Sequence, residues 1–158
     1  MNMTSHTQLS PEAASFLKEY QGERIVFTNG CFDLVHLGHL EYLAEAKGLG
    51  DKLFVGLNSD RSVKELKGSD RPIIGEQDRK VFLEHLKSVD FVEVFDESTP
   101  MRLIEEVKPV VLVKGGDWSA EQIVGHEVVL ANGGEVKSLS FKDNFSSTLL
   151  IKKLQGRS

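Results

Sequence analysis

The sequence is poor in the features that secreted and membrane proteins require. It has one cysteine, Cys31, among 158 residues, so no disulfide can form within the chain. No apolar run approaches the roughly 20 residues that cross a bilayer. The first residues, Met1–Ser5, lack a basic region followed by an apolar stretch, which argues against a secretory signal. We therefore expect a cytoplasmic protein with no membrane partner.

The sequence also lacks an excess of positive charge. It has 19 Lys and Arg against 24 Asp and Glu, a formal net charge of −5. A mildly acidic chain disfavours non-specific binding to nucleic acid, so we expect no nucleic-acid partner. Small anionic ligands respond to local charge instead and stay possible. No internal repeat or low-complexity tract is present, and the length predicts roughly one ordinary domain.

Short apolar runs alternate with segments of helical periodicity from residue 24 onward. Continuous β-branched runs indicate strands covered on both faces, and strand–helix alternation predicts a parallel sheet. We therefore predict an α/β fold, a single doubly wound (Rossmann-like) domain with a five-stranded parallel sheet. The predicted strands are 24–28, 53–57, 91–95, 110–114 and 135–139; the predicted helices are 38–47, 60–66, 76–89, 100–107 and 146–154, with helical pieces in 121–132.

Residues 1–21 are predicted to form an N-terminal extension with a short helix, and residues 22–158 the domain. The helix begins at Ser10-Pro11-Glu12, because proline is favoured at the first helical position. Apolar faces are predicted from periodicity in this helix and in two others. They comprise Phe16, Leu17 and Tyr20; Leu40, Leu43, Ala44 and Ala46; and Val81, Phe82, Leu86 and Val89.

Four segments follow predicted strands at their carboxyl ends, where doubly wound sheets bind ligands. They are 28–39, 58–60, 97–100 and 114–118. The first contains His36-Leu37-Gly38-His39 at the entrance of a predicted helix. Gly38 allows an anion to approach the backbone, and the helix N-terminus offers free N–H groups and partial positive charge.

His36 and His39 are therefore predicted to donate hydrogen bonds to phosphate oxygens. A metal site is the weaker interpretation, because no third ligand is obvious. The turn after the first strand lacks the G-x-G-x-x-G pattern, which argues against a nicotinamide-dependent reductase.

The segment Thr28–His39, together with Asn58-Ser59-Asp60, resembles the cytidylyltransferase-like nucleotidyltransferases. Three further segments, 66–72 (LKGSDRP), 112–118 (LVKGGDW) and 131–135 (ANGGE), resemble one branch of them, the D-glycero-β-D-manno-heptose 1-phosphate adenylyltransferases. In many bacteria that activity is the C-terminal half of a bifunctional kinase–adenylyltransferase. The 158 residues leave no room for a kinase as well, so we expect the stand-alone version.

The resemblance implies transfer of AMP from ATP to D-glycero-β-D-manno-heptose 1-phosphate, giving ADP-heptose and pyrophosphate. The sugar phosphate attacks the α-phosphorus in line, so no protein nucleophile is required. Mg²⁺ is expected with ATP as the counter-ion of the triphosphate, held mainly by phosphate oxygens, so no protein metal ligand is named. Homodimers are common among relatives, and the sequence leaves a homodimer open.

The resemblance also implies roles for individual residues. His36, His39 and Lys67 are catalytic candidates, and Asp33 and Arg71 are candidate substrate contacts. Each of the last two has a structural alternative: Asp33 can pin its own turn, and Arg71, like Arg79, can bind a loop carboxylate. The nucleotide-binding candidates are Thr28, Asn29, Gly30, Cys31, Phe32, Gly38, Lys114, Gly116, Asp117 and Trp118, with Ser146, Ser147 and Thr148 for the β- and γ-phosphates.

The chain departs from the family in one segment, where the usual Ser-Thr-Thr is Ser146-Ser147-Thr148. Ser147 keeps the hydroxyl, and the bulky Phe145 before it either tunes the pocket or packs.

Two other functions remain open at this stage. One is a cytidylyltransferase acting on glycerol 3-phosphate or another phosphoalcohol, since adenine and cytosine are read largely by backbone groups in such loops. The other is a nucleotide-binding regulatory module without turnover.

Overall fold

The computed structural model describes residues 8–141 and 146–157. Among these residues, none of the helices combines the length and apolar character needed to cross a membrane. A short 3-10 helix covers Ala120–Gln122. The other elements are α1 (Pro11–Glu19), β1 (Ile25–Gly30), α2 (Leu37–Lys47), β2 (Lys52–Asn58), α3 (Asp60–Lys67), α4 (Glu76–Glu84), β3 (Phe91–Phe95), α5 (Met101–Val107), β4 (Val111–Gly115), α6 (His126–Ala131), β5 (Glu135–Leu139) and α7 (Ser147–Leu154).

The five strands form one parallel sheet in the order β3-β2-β1-β4-β5. The predicted α/β fold with a doubly wound, five-stranded parallel sheet is therefore confirmed. The chain builds outward from β1 to β3, then crosses back to place β4 on the other side of β1. This reversal creates a switch point between β1 and β4, where the connecting segments diverge and leave a crevice.

The apolar core lies on both faces of the sheet. Neighbouring residues of one strand enter opposite clusters: Val26 and Leu53 belong to one, Phe27 and Phe54 to the other. This alternation follows from the two-residue period of a strand. β5 differs, because its residues alternate between exposed and covered along the sheet edge. The expectation that strands are covered on both faces is therefore wrong for this strand.

Helix α1 is tied to the sheet at its first turn. Ser10 caps the helix by accepting a hydrogen bond from the Ala13 amide at 3.0 Å. The amide and hydroxyl of Ser10 both donate to the carboxylate of Glu93 in β3, each at 2.8 Å. Ala13 and Phe16 are buried in the second core cluster. The N-terminal segment that was predicted as an extension therefore packs against the core of the domain.

Two predicted helix faces are half right, because two of the four residues of each are buried in the core or pack against it: Leu86 and Val89 in one, Leu43 and Ala46 in the other. Helix α4 ends at Glu84 rather than near Val89, and its Val81 and Phe82 are each 53% exposed. Arg79 and Leu83 are buried instead. These two share a helix face because they are four residues apart, and the hydrogen bonds of Arg79 described below fix that face inward.

In α2, Leu40 and Ala44 are exposed, whereas Tyr42 is buried. The Tyr42 hydroxyl lies 2.6 Å from the Thr28 hydroxyl in β1. This buried polar contact sets the rotation of α2, which apolar periodicity alone did not predict.

Candidate functional site

A cavity of about 540 Å³ opens at the carboxyl ends of β1, β2 and β4. Its wall is built from segments far apart in sequence, which the switch point brings together. It includes the catalytic candidates His36, His39 and Lys67 and the substrate candidates Asp33 and Arg71. The nucleotide candidates in the wall are Asn29, Gly30, Cys31, Phe32, Lys114, Ser146, Ser147 and Thr148.

Two nucleotide candidates lie behind the wall. β1 continues to Gly30, two residues beyond the predicted end, so Thr28 is an interior strand residue and fully buried. Its hydroxyl pairs with Tyr42. Gly38 is buried in the first turn of α2. The structure therefore places both residues in the scaffold and not in the cavity surface.

The turn after β4 carries three further candidates away from the cavity, namely Gly116, Asp117 and Trp118. The Trp118 amide donates to the Ser138 hydroxyl at 3.1 Å, and its indole N–H donates to the Gly115 carbonyl at 3.0 Å. The Trp118 side chain is left 43% exposed. These contacts fold the turn back on β4, so only Lys114 and Gly115 of this segment reach the wall.

The wall also contains five residues that are not among the site candidates named from the sequence: Tyr42, Asn58, Leu66, Gly115 and Phe141. Asn58 falls in a strand-end segment that the fold prediction had marked. Tyr42 lies three residues after His39, so helical spacing could have placed it on the same side of α2. Phe141 follows β5, and no local pattern indicates that it reaches the first strand-end turn.

The two histidines form one unit at the start of α2. His36 is the N-cap residue, and its backbone N–H donates to Nδ1 of His39 at 3.3 Å. The rings stack with centroids 4.0 Å apart. Because Nδ1 accepts, the proton of neutral His39 resides on Nε2, which is a donor.

Both rings are uncharged at neutral pH. Burial, with a smaller contribution from His36, lowers the pKa of His39 to about 4. Burial also lowers the pKa of His36 below its usual 6.5. The pair therefore offers hydrogen-bond donors without fixed charge.

Positive charge comes to the cavity from Lys67 and Lys114. Lys67 was predicted in a flexible loop but is the exposed last residue of α3, which ends at Gly68 with a positive φ of 106°. Lys114 is on β4, and its ammonium lies 4.3 Å from the centre of the Trp118 ring. The two lysines lie on different elements, α3 and β4, and both line the cavity.

Asp33 and Arg71 bind one another. Nε of Arg71 donates to the Asp33 carboxylate at 2.7 Å, and the amides of Ile73 and Ile74 donate to it at 2.9 Å. Burial raises the pKa of Asp33, but the hydrogen bonds from Ile73, Ile74 and Arg71 together hold it below its ordinary 3.8. The sequence left open whether these residues contact substrate or stabilise the fold. The observed contacts are of the second kind.

Arg79 is a brace beneath the cavity. Only 1% of it is exposed. Its guanidinium donates to the carbonyls of Cys31 at 2.6 Å, Asn58 at 2.9 Å and Ile74 at 2.8 Å, and to the Asp60 carboxylate at 2.8 Å. The carbonyls lie at the ends of β1 and β2 and before α4, so one side chain fixes three wall segments together.

Helix α7 presents its N-terminus to the cavity. Ser146 caps it by accepting from the Leu149 amide at 3.0 Å, and Ser147 donates to the Leu34 carbonyl at 2.9 Å. Ser147 thereby ties α7 to the turn before α2. With Thr148 in the wall, the first turn of the helix faces the histidine pair across one cavity. Phe145 and the residues before it, 142–144, lie outside the described residues.

Cys31 lines the cavity and is half-buried. Burial raises the pKa of its thiol, although Lys67 and two arginines act in the opposite direction. The thiol is therefore protonated at neutral pH and is a poor nucleophile, which agrees with the expectation that no protein nucleophile is required.

Comparison with known proteins matches residues 27–153 to the cytidylyltransferase-like family model. The chain is 56% identical over 135 residues to the bifunctional protein HldE of Geotalea uraniireducens, covering 85% of this chain and 28% of that protein. The HldE protein of Haemophilus ducreyi is 56% identical over 142 residues, covering 89% and 30%. The chain thus spans less than a third of the length of these curated relatives.

Solved structures share the fold. The lipopolysaccharide core biosynthesis protein from Thermoplasma volcanium is 33% identical with a TM-score of 0.61, covering 77% of this chain and 98% of that one. A pantothenate synthetase from Thermus thermophilus shares the fold at 14% identity, with a TM-score of 0.55 and coverage of 81% and 59%. The resemblance inferred from the sequence is thereby confirmed: the chain belongs to the cytidylyltransferase-like family.

Proposed function

We propose that this chain transfers AMP from ATP to D-glycero-β-D-manno-heptose 1-phosphate, giving ADP-heptose and pyrophosphate. The observation that carries the proposal is the composition of the cavity at the switch point. It combines the neutral pair His36 and His39, the cations Lys67 and Lys114, and the N-terminus of α7. Preorganised donors of this kind stabilise charge that develops on a transferring phosphoryl group.

The reaction needs positioning and no covalent enzyme intermediate. An oxygen of the sugar phosphate attacks the α-phosphorus, the bond from that phosphorus to the bridging oxygen breaks, and pyrophosphate leaves in line. His36 and His39 donate to the α-phosphoryl oxygens, Lys67 neutralises charge across the cavity, and the amides of α7 hold the β- and γ-phosphates. The protonated thiol of Cys31 takes no part.

Base and ribose contacts fall to the end of β4. Lys114 and Gly115 are the residues of the segment 114–118 that line the cavity. The turn that follows folds away, so we assign no nucleotide contact to Asp117 or Trp118. Backbone groups at this strand end suit either adenine or cytosine, which is why the test below compares bases.

Mg²⁺ is proposed to enter with the triphosphate. Within the described residues, no group of three or more His, Cys, Asp and Glu side chains is placed to hold a metal ion. The Asp33 carboxylate in the wall already accepts from Arg71, Ile73 and Ile74. The described side chains therefore fit a cation that is held through phosphate oxygens, where it would offset the phosphate charge. They do not fit a metal ion coordinated mainly by protein ligands.

The sugar phosphate assignment depends on the resemblance of 66–72 and on the similarity to the HldE proteins, since Leu66, Lys67 and Arg71 of that segment line the cavity. The segment 131–135 has a different place. It precedes β5, where the Glu135 amide donates to the Val110 carbonyl at 2.7 Å. It therefore lies at the end of the sheet opposite the cavity. We infer that its resemblance to the heptose branch reflects packing and not a substrate contact.

The test is pyrophosphate release by the full chain with ATP, CTP or GTP, each offered with heptose 1-phosphate or glycerol 3-phosphate. We expect turnover with ATP and heptose 1-phosphate, with ADP-heptose identified by mass. Turnover only with the combination of CTP and glycerol 3-phosphate would contradict the proposal and identify the chain as a cytidylyltransferase. Nucleotide binding by calorimetry without turnover in any combination would replace it with a regulatory module. Light scattering on the same sample tests the homodimer.

A further inference from the structure

Two glycines end the strands that border the switch point, and an aromatic ring lies against each. Gly30 is the last residue of β1, and a Cβ placed there would lie 2.9 Å from the ring of Phe32. Gly115 is the last residue of β4, and a Cβ there would lie even closer to the ring of Phe141. Each ring therefore occupies space that the Cβ of any other residue would take.

Both rings contact His39. Its ring centroid lies 5.3 Å from that of Phe32 and 6.4 Å from that of Phe141, the latter edge-on at 86°. Such distances and angles are typical of favourable aromatic pairs. Phe141 also packs against Tyr42 at 5.0 Å. The ring of Phe141 thus lies over Gly115 and against Tyr42, nearly perpendicular to the ring of His39.

Phe141 connects two parts of the wall that are far apart in sequence. The histidines and Tyr42 belong to α2 and its cap, whereas Phe141 follows β5. The Phe141 side chain is 41% exposed and lines the cavity. A residue that served only the core would be buried, so the location at the cavity surface beside His39 indicates a role in the site.

We propose that Phe141 is a positioning residue: its ring holds His39 against His36 and shields His39 from water. The consequence for catalysis rests on the proposed function, but the contact itself does not. A shielded, fixed ring keeps Nδ1 of His39 on the amide of His36 and its proton on Nε2. Protonation of Nδ1 would break that bond, so water reaching the ring would weaken the arrangement.

Other charged and titratable groups share this cavity and enter any pH response. They are Cys31, Asp33, His36, Lys67, Arg71 and Lys114, besides Tyr42. Among them, His36 lowers the pKa of His39, with burial as the larger cause. Removing the Phe141 ring reduces the burial of His39 and leaves these charged groups in place.

The first test is an NMR titration of histidine-labelled full chain without substrate. Phe141→Ala removes the ring, Gly115→Ala displaces it through the new Cβ, and Phe141→Leu retains part of the shield. We expect the pKa of His39 to rise from about 4 towards 6.5 in the first two variants and by less in the third. The matched control is Phe82→Ala, which removes an exposed ring on α4 and should leave the titration unchanged.

The second test separates positioning from substrate binding by pyrophosphate release. In Phe141→Ala we expect kcat to fall about tenfold while KM for ATP stays within about twofold, because a misplaced catalytic group lowers the rate more than binding. The acid limb of the pH–rate profile should move upward with the His39 titration. Phe141→Leu should recover part of kcat.

Two results would overturn the inference. One is an unchanged His39 titration in folded Phe141→Ala and Gly115→Ala, with folding checked by thermal unfolding. The other is a rise in KM with kcat unchanged, which would make the ring a nucleotide contact. If the parent chain shows no turnover, the proposed function fails, whereas the substrate-free titration still decides the role of Phe141.

Discussion

Asp33 and Arg71 form a nearly buried ion pair at the edge of the cavity, with Nε 2.7 Å from Oδ2 and side-chain exposures of 0% and 11%. The pair joins the turn after β1 to the segment between α3 and α4. Because that segment begins directly after Lys67, the ion pair restrains the chain that carries a catalytic candidate. One carboxylate therefore contributes to both the stability of the fold and the shape of the site.

Asp33→Asn should lower the free energy of unfolding by about 2–3 kcal/mol at pH 7, since hydrogen bonds to charged groups are worth about 1.5–3 kcal/mol. The folded pKa of Asp33 lies below 3.8. Its contribution is thus fully present above the unfolded value and is lost as pH falls through the folded value. Urea unfolding at several pH values should show parent and variant converging in acid.

The control for that variant is Asp70→Asn, which changes an exposed carboxylate in the same segment. It should alter stability little. A difference between Asp33→Asn and the parent that stayed constant from neutral to acid pH would contradict the assigned linkage.

Arg79→Lys should destabilise the protein by about 3 kcal/mol, because an ammonium cannot reach the four acceptors that the guanidinium fork binds. Arg61→Lys is the matched control: Arg61 is 69% exposed in a surface pair with Asp96, and its replacement should change stability by less than about 0.5 kcal/mol. If denaturant titrations showed equal destabilisation by Arg79→Lys and Arg61→Lys, the proposed structural role of Arg79 would be refuted.

Lys67→Ala should reduce kcat/KM for ATP about 100-fold, the loss typical of removing one preorganised donor to a developing charge. Lys64→Ala removes an exposed lysine one turn earlier in α3 and serves as the control. Pyrophosphate release measures both. If the two variants behaved alike, Lys67 would be an ordinary surface lysine.

His39→Ala should lower kcat about 100-fold while changing KM for ATP less, because the interaction is proposed to strengthen in the transition state. His85→Ala, on the exposed cap of α4, should have parental activity. Undiminished product formation by His39→Ala would remove the histidine from the catalytic assignment.

Much of the fold followed from local patterns. The strand position 91–95 matches the structure because apolar, β-branched-rich runs between turn residues are a local signal. Helix α1 begins where Ser10 and Pro11 predicted, since capping is also local. The face that each helix turns inward was less predictable: in α4 the exposed Phe82 and the buried Arg79 reverse the apolar expectation.

The site divides in the same way. The strand-end rule predicted that 28–39 and 114–118 would meet, and Asn29, His36, His39 and Lys114 do line one cavity. Trp118 does not, because a contact with Ser138 of β5 turns its segment away. That contact joins residues 20 apart in sequence, and no spacing rule encodes it.

By itself, the sequence determined the family, the parallel sheet and the histidine pair, because strand runs, capping residues and a short motif are local properties of the chain. Tertiary structure alone decided that Arg79 is a brace, that Asp33 binds Arg71, and that Phe141 reaches His39. Each of these depends on long-range contacts: those of Arg79 and Asp33 join the ends of β1 and β2 to the chain around α4, and that of Phe141 needs the crossover that sets β4 beside β1. The physical reason is that side-chain partners are selected by the packed geometry of strand ends, and separation along the chain carries no information about it.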